Sequence, residues 1–351
     1  MVQFSSWSVL IADFLIVLHL TIGGVTLCAL LHLASAKWRY QIRPFAASLF
    51  GLYPLACALL LILLAFGRTT FPWLGADAHG PLNGWHNHGF LLAREIAGMA
   101  FVVWLYSRFL RLQAVSEVSP ENWERFKTTA IAIPFTHVIY GTMVAWDFEM
   151  TLQPFWESSV YGMYHFVSNF GMSLAFLVAM IRRLELGGRL AAPFPERIYN
   201  YLAQMLLAFT ILWTYLYFAQ YLTIWYGNLP DERNRIESMV VGDYAALWWT
   251  FLGLKFIFPF CSLVFTYVRH SPGALFAVAC SILVGTWIER YTWISGSYPV
   301  GPFERAHQPM TSLFDVGVSV AVAVVGFMLL RRALLRNGAI APRVVGVERT
   351  A

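Results

Sequence analysis

The chain has 351 residues, of which 58% are hydrophobic and 12% are charged, and its formal net charge is +5. A soluble domain carries about 25% charged residues, so too little polar surface remains to face water, and the composition predicts an integral membrane protein. The positive charge does not indicate a nucleic-acid partner, because the basic residues lie in short loops between apolar segments.

Nine apolar segments follow one another along the chain, and each is long enough to cross the hydrocarbon as a helix of about 20 residues. They cover roughly residues 8–33, 45–66, 88–108, 128–147, 158–181, 198–226, 244–268, 272–295 and 312–331. The loops between them leave no room for a soluble domain. We therefore predict an all-α integral membrane protein of about nine transmembrane helices, with residues 1–351 forming a single membrane domain.

The cysteines and the N-terminal segment carry no sign of processing or cofactor attachment. The first apolar segment lacks a basic leader and a small-residue cleavage site, so we expect it to remain as a helix. Cys28, Cys57, Cys261 and Cys280 lie far apart inside apolar segments. They form no CxxC or CxxCH motif, which excludes c-type haem attachment and the usual iron–sulfur spacings.

The loops alternate between rich and poor in basic residues. Of the 24 Lys and Arg residues, 17 fall in one alternating set of loops together with the C-terminal tail, 4 fall in the other set, and 3 lie within spans. Cytoplasmic loops carry the excess of Lys and Arg in membrane proteins. This asymmetry predicts a multi-pass protein with the N-terminus outside and the C-terminus cytoplasmic.

Several ionisable residues lie within the apolar spans, where each costs about 2.5–3.5 kcal/mol to insert. At a rise of ~1.5 Å per residue, most of them fall in the outer half of the membrane, and the cytoplasmic half is nearly bare. The outer residues are Asp13, His19, Arg94, Glu95, His137, His165, Glu289, Arg290 and Asp315, while Lys255 lies near the midplane. Such a layer could accept the protons that a quinol releases when it is oxidised near the outer face.

Three other interpretations of this layer remain open. Two histidines on facing helices, His19 with His137 or His137 with His165, could ligate the iron of a b-type haem. An ion-coupled transporter would need a polar route through the cytoplasmic half, and its bareness counts against this interpretation. Finally, the adjacent acidic and basic residues on the third and eighth spans could pair only to stabilise the helices.

Three outer segments are dense in aromatic and polar residues, namely residues 79–89, 146–162 and 218–232. The first contains His79, His86 and His88, but their spacing matches no standard metal motif, so we predict no metal site. Tryptophan and tyrosine in the other two are typical of membrane-interface anchors. Polar insertions such as Asn228-Leu229-Pro230 are not explained by anchoring alone.

Residues 147–162 read DFEMTLQPFWESSVYG, and residues 218–232 read FAQYLTIWYGNLPDE. These segments resemble the NrfD-like (polysulfide reductase) membrane subunits, most closely the ActF subunits of bacterial alternative complex III, which typically read DWLMSLDPHWFSTIFG and FSQFMLIWYANLPEE. The identical positions are Asp147, Met150, Leu152, Pro154, Trp156, Ser158, Gly162, Phe218, Gln220, Ile224, Trp225, Tyr226, Asn228, Leu229, Pro230 and Glu232. The resemblance extends over nearly the whole chain.

The resemblance implies two four-helix bundles, at residues 8–147 and 158–295, followed by a final helix at 312–331 and a cytoplasmic tail at 332–351. It implies a place in the bacterial inner (cytoplasmic) membrane and contact with quinone or quinol, either menaquinol or ubiquinol, without a haem or iron–sulfur cluster of its own. The implied partners are an iron–sulfur/molybdopterin-like subunit and a cytochrome c subunit outside, and an NrfD-like sister subunit in the membrane.

The chain departs from that family at titratable positions. Gln153 and Phe155 stand where the family has an acidic residue and a histidine, and Asn200, Tyr201 and Gln204 stand where relatives often carry His-Asp and a lysine. These replacements remove titratable groups on the cytoplasmic side, which puts a proton path through the whole membrane in doubt. Quinol contact near the outer face remains the expectation.

We predict a membrane subunit of a quinol-oxidising complex that carries no catalytic residue or metal of its own. The expected quinol and proton site in the first bundle and its neighbour, with the side chains lining one polar pocket, consists of Asp13, His19, Arg94, Glu95, His137, Asp147 and His165. The candidates in the second bundle are Gln220, Lys255, Glu289 and Asp315. The alternative is a structural anchor that docks the outer redox subunits and has no quinol site.

Overall fold

The computed structural model describes residues 4–75, 84–116, 119–154, 156–190, 192–297 and 313–340. In this part of the chain no residue lies in a β-strand, and nine helices are long and apolar enough to cross a membrane, which confirms the predicted fold class. The helices are α1 (Trp7–Leu33), α2 (Arg39–Ala65), α3 (His88–Val115), α4 (Glu121–Met150), α5 (Tyr161–Leu186), α6 (Glu196–Gly227), α7 (Ala245–Leu263), α8 (Pro272–Ser295) and α9 (Val316–Arg336).

Helix starts follow the local sequence. The Asn87 side chain accepts a hydrogen bond from the Phe90 N–H and caps α3. Ser119 and Ser271 cap the helices that begin with Pro120 and Pro272 in the same way. A side-chain oxygen at the N-cap satisfies one free N–H, and proline fits the first helical turn because its missing N–H would have no partner there.

Six predicted boundaries differ from the structure by five residues or more, and three of these are the end of α3 at Val115 rather than 108, the start of α4 at Glu121 rather than 128, and the end of α5 at Leu186 rather than 181. The second helix begins at Arg39 rather than at 45, because Ile42 and Phe45 turn inward and extend the buried face. The seventh helix ends at Leu263 rather than at 268, where the backbone becomes extended at Phe265. The last helix continues to Arg336, so residues 332–336 belong to the helix and not to the predicted tail.

Helix α1 lies at the centre of the fold. It packs against α2, α4, α5, α8 and α9, and α3 packs against α4, α6 against α5 and α7, and α7 against α8. Small residues permit the closest approaches: a Cβ on Gly23 would lie 2.3 Å from Ser173 Oγ, and one on Gly24 would lie 2.2 Å from the Ala46 carbonyl oxygen. Membrane helices commonly associate through such small residues, because lipid supplies no hydrophobic driving force between them.

Candidate functional site

Two membrane helices contain a π-helical turn, and both turns carry charged residues. In α4 the turn covers Trp146–Met150 and includes Asp147 and Glu149, and in α7 it covers Gly253–Ile257 and includes Lys255. Pro259 follows the second turn and cannot donate a backbone hydrogen bond to the carbonyl of residue 255, which favours local widening of the helix. All three charged side chains are buried, and π turns occur frequently at functional sites.

Asp147 forms a two-pronged ion pair with Arg94. Arg94 Nε lies 2.7 Å from Asp147 Oδ2, and Nη2 lies 2.6 Å from Oδ1. The Trp85 indole N–H donates to the same carboxylate at 2.7 Å, and the Arg94 guanidinium lies 4.1 Å from the centre of the Trp85 ring. Arg94 therefore pairs across helices with Asp147 rather than with its neighbour Glu95, to which Tyr140 donates at 3.4 Å.

Three buried histidines form a hydrogen-bonded chain across α5, α1 and α4. His165 Nδ1 lies 2.6 Å from Glu149 Oε2, and His165 Nε2 lies 2.7 Å from His19 Nε2. His19 Nδ1 lies 3.4 Å from His137 Nε2, and His137 Nδ1 lies 2.9 Å from Thr26 Oγ1. A neutral imidazole can accept a proton on one nitrogen and release one from the other, so this arrangement can transfer protons.

Glu149 occupies the end of the histidine chain next to His165. Arg290 Nη1 lies 2.6 Å and 2.9 Å from its two carboxylate oxygens, and the Tyr161 hydroxyl donates to it at 3.0 Å. The sequence prediction missed this residue, because the fourth span was taken to end at 147 and the resembling family segment has leucine here. An acidic residue two positions after Asp147 in an aromatic outer segment was the available signal.

A second group of polar side chains surrounds the Glu289 carboxylate. The groups that hydrogen-bond its carboxylate belong to Lys255, Tyr164, Trp213, Ser168 and Arg290. The Lys255 ammonium also donates to Ser168 at 2.7 Å. Because Arg290 contacts both Glu149 and Glu289, at 2.6 Å and 2.9 Å, it joins the two groups into one buried network. The second-bundle candidates Lys255 and Glu289 thus lie in the same network as the histidines.

Asp13 lies apart from that network. Its carboxylate accepts hydrogen bonds from the Trp287 indole at 3.0 Å and the Ser319 hydroxyl at 2.7 Å. These contacts hold α8 and α9 against α1, which is a packing role. The seven residues expected to share one pocket therefore occupy three places, with Arg94, Glu95 and Asp147 together, the three histidines together, and Asp13 separate.

Gln220 does not join the network. Gln220 accepts a hydrogen bond from the Ser158 hydroxyl at 2.9 Å and so holds the loop after α4 against α6. The side chain of Asp315 lies outside the described part of the chain, as do His79 and Phe155.

A cavity of about 370 Å³ opens on the same end of the bundle as Asp147. Its lining includes three tryptophans, Trp85, Trp146 and Trp156, together with polar residues such as Gln153. Gln153 Oε1 and Trp156 Nε1 are buried, and neither has a hydrogen-bond partner among the described residues. Apolar walls with a few polar groups are typical of small-molecule sites of this size. Two residues of the cavity lining therefore carry a polar atom that has no partner among the described residues.

His86 also lines the cavity, just before α3 begins. Burial, followed by the positive charge of Arg94, lowers the pKa of the His86 imidazole below its usual value. This shift favours the uncharged ring. The centre of the Trp156 ring, which lines the cavity, lies 5.2 Å from the centre of the Tyr161 ring, and the Tyr161 hydroxyl contacts Glu149.

The histidine chain ends in the opposite half of the membrane. Thr26 Oγ1 lies 3.4 Å from the Tyr106 hydroxyl, which donates to the Ile133 carbonyl at 3.3 Å. Thr26 is seven residues from the end of α1, or about 10 Å along the helix. A small polar space lined by His32, Arg43 and Gln113 follows nearer that end of the bundle. Polar side chains therefore extend further toward this end of the bundle than the positions of the ionisable residues in the sequence had indicated.

The fold and this network define a multi-pass helical membrane protein with a buried network of ionisable side chains next to a cavity at one end of the bundle. No protein-family model matches the chain, and no curated protein matches it.

Proposed function

We propose that the chain is a membrane subunit of a quinol-oxidising respiratory complex of the alternative complex III kind, contributing to quinol binding and proton handling near the outer face. The observation that carries the proposal is the hydrogen-bonded chain from Glu149 through three histidines, which begins beneath a cavity with an unpaired acceptor and an unpaired donor. The complex would lie in the bacterial inner membrane, with the N-terminus of this chain outside.

The cavity fits the head group of menaquinol or ubiquinol. Gln153 Oε1 would accept a hydrogen bond from one quinol hydroxyl, and the Trp156 indole would donate to a ring oxygen. His86, uncharged at neutral pH, would accept a proton as the quinol is oxidised. The electrons would leave to an iron–sulfur cluster of a partner subunit docked on the outer face, which in turn would pass them to a cytochrome c subunit.

The buried network would hold or transfer the released protons. A proton entering at Glu149 can be passed by His165 to His19 and then to His137, because each ring contacts the next within hydrogen-bond distance or close to it. Arg290 and Lys255 balance the charges of Glu149 and Glu289, so the network would be neutral before a proton enters and would carry one positive charge afterwards.

The second candidate function is a structural anchor for the outer subunits, without a quinol site of its own. The Arg94–Asp147 ion pair favours this structural function. The two charges neutralise each other, and the Asp147 carboxylate also holds Trp85 in the segment before α3. In this case the sister NrfD-like subunit would carry the quinol chemistry.

Substitutions in the cavity separate the two functions. In the assembled complex, Gln153→Leu and Trp156→Phe should each raise the KM for a short-chain quinol about two- to tenfold, the effect of one lost hydrogen bond. Trp249→Phe, at an exposed tryptophan of α7, is the matched control and should leave KM unchanged. Normal assembly with unchanged KM in both cavity variants would reject the quinol site and support the anchor.

A further inference from the structure

A second, larger concavity lies on the membrane-facing side of the bundle, between α5, α8 and α9. Its volume is about 810 Å³. Each helix contributes residues one turn apart, and the wall is apolar, with Phe176, Phe276 and Phe327 from the three helices in turn. The groove runs along the helices to the end where α5 and α9 finish and α8 begins.

Three arginines surround the groove at that end. Arg183 lies in the last turn of α5, Arg189 in the following loop, and Arg331 in α9. None of the three forms a hydrogen bond or ion pair through its side chain with another described residue, and no described carboxylate lines the groove. The nearby Glu185 is already engaged by Arg182 at 2.6 Å and by Tyr199 at 3.0 Å.

We propose that this groove binds one anionic diacyl phospholipid, with its phosphate among Arg183, Arg189 and Arg331 and its acyl chains along the phenylalanine-lined wall. The arrangement of charge indicates the class of ligand, because three unpaired guanidinium groups lie at one end of an apolar groove that is open to the membrane. Guanidinium groups bind phosphate through two parallel hydrogen bonds, and basic pockets between membrane helices bind anionic lipid head groups. The site is independent of the proposed quinol function.

The test uses the full chain purified in detergent and depleted of lipid, with bound lipid counted by native mass spectrometry. We expect one molecule of dioleoylphosphatidylglycerol to bind more tightly than dioleoylphosphatidylcholine, which has the same acyl chains. The triple variant Arg183→Gln, Arg189→Gln, Arg331→Gln should weaken phosphatidylglycerol binding at least about tenfold and remove the preference.

The matched control is the triple variant Arg108→Gln, Arg332→Gln, Arg336→Gln, which removes the same charge from exposed arginines that do not line the groove. It should bind phosphatidylglycerol as the unaltered chain does. An equal loss of phosphatidylglycerol binding in both triple variants would show only a general attraction of the lipid to the basic surface, and it would overturn the proposal.

Filling the groove tests the acyl-chain part without removing charge. Cys280→Trp places a large ring on the α8 wall and should lower binding of both lipids while leaving the arginines intact. Inorganic phosphate at millimolar concentration should not displace the lipid. Displacement by phosphate, or full lipid binding by the Cys280→Trp variant, would identify a simple phosphate site and reject the lipid groove.

Discussion

The Nε2 atoms of His19 and His165 lie 2.7 Å apart, although the two residues are 146 positions apart in the chain. A neutral imidazole has one N–H, so at this contact one ring must donate and the other must accept, and the protonation of one ring fixes that of the other. His165 contacts Glu149 through its second nitrogen, and His19 faces His137 through its own. A proton change at Glu149 is therefore coupled to His137 through two intervening rings.

Interrupting this chain should slow quinol oxidation. We expect His137→Ala to lower quinol turnover of the assembled complex about tenfold or more without preventing assembly, because positioned acid–base groups contribute 10²–10⁴-fold. His270→Ala is the matched control, since His270 follows α7, lies outside the histidine chain, and has its ring nitrogen 2.9 Å from the Thr266 carbonyl. Turnover is measured with a short-chain quinol and cytochrome c. Equal turnover in an intact His137→Ala complex would mean that the histidine is structural.

The Arg94–Asp147 pair should contribute strongly to stability. Removing one partner by Arg94→Gln leaves a buried carboxylate without its counter-charge, and we expect a loss of about 3–5 kcal/mol in the free energy of unfolding. The double variant Arg94→Gln, Asp147→Asn should lose less free energy of unfolding than Arg94→Gln alone, because no unpaired carboxylate remains. Arg233→Gln, which breaks an exposed pair with Glu237, should cost about 0–1 kcal/mol. Denaturant unfolding in detergent measures all three, and a similar loss for both single arginine variants would contradict this account.

The contact between α1 and α2 should not tolerate a side chain at Gly24. A Cβ there would lie 2.2 Å from the Ala46 carbonyl oxygen, so Gly24→Ala must push the helices apart. We expect a cost of about 1–3 kcal/mol, measured as a lower melting temperature in detergent. Gly317→Ala is the control, because no atom lies within 4 Å of a Cβ built there. Equal melting temperatures would show that the helices approach less closely than described.

Cysteine labelling should place the first residue of α6 and the segment that follows α6 on opposite sides of the membrane. In a chain whose native cysteines are replaced by alanine, we expect Glu237→Cys to react with an impermeant reagent from outside and Glu196→Cys only after the membrane is opened. The reason is the 17-to-4 distribution of Lys and Arg between the two sets of loops. Labelling of Glu196→Cys in intact cells would reverse the predicted orientation.

The purified chain should show no haem absorption in the Soret region. His19 and His137 face each other with ring nitrogens 3.4 Å apart, and His19 and His165 with nitrogens 2.7 Å apart. These are hydrogen-bond or near hydrogen-bond distances, and neither leaves room for an iron and its porphyrin between the rings. A stoichiometric haem in the absorption spectrum would assign the histidines as ligands and would require the helices to separate.

The sequence by itself determined the number of membrane helices and the end of the bundle at which most ionisable residues lie. Both properties are local, since span length follows from the hydrocarbon thickness and depth follows from the rise per residue. The sequence did not reveal that Glu149 belongs to the site. That residue enters the core because α4 continues through a π turn to Met150, and propensity within one segment does not predict such a turn.

Only the tertiary structure decided which polar residues meet. In α1, Asp13 holds α8 and α9 while His19 joins the histidine chain, because the two side chains leave the same helix on different faces. Likewise Arg94 pairs with Asp147 on α4 rather than with the adjacent Glu95, since residues next to each other on a helix point in different directions. Partner choice depends on how the helices rotate and pack against one another, and that packing is fixed by contacts far apart in the chain.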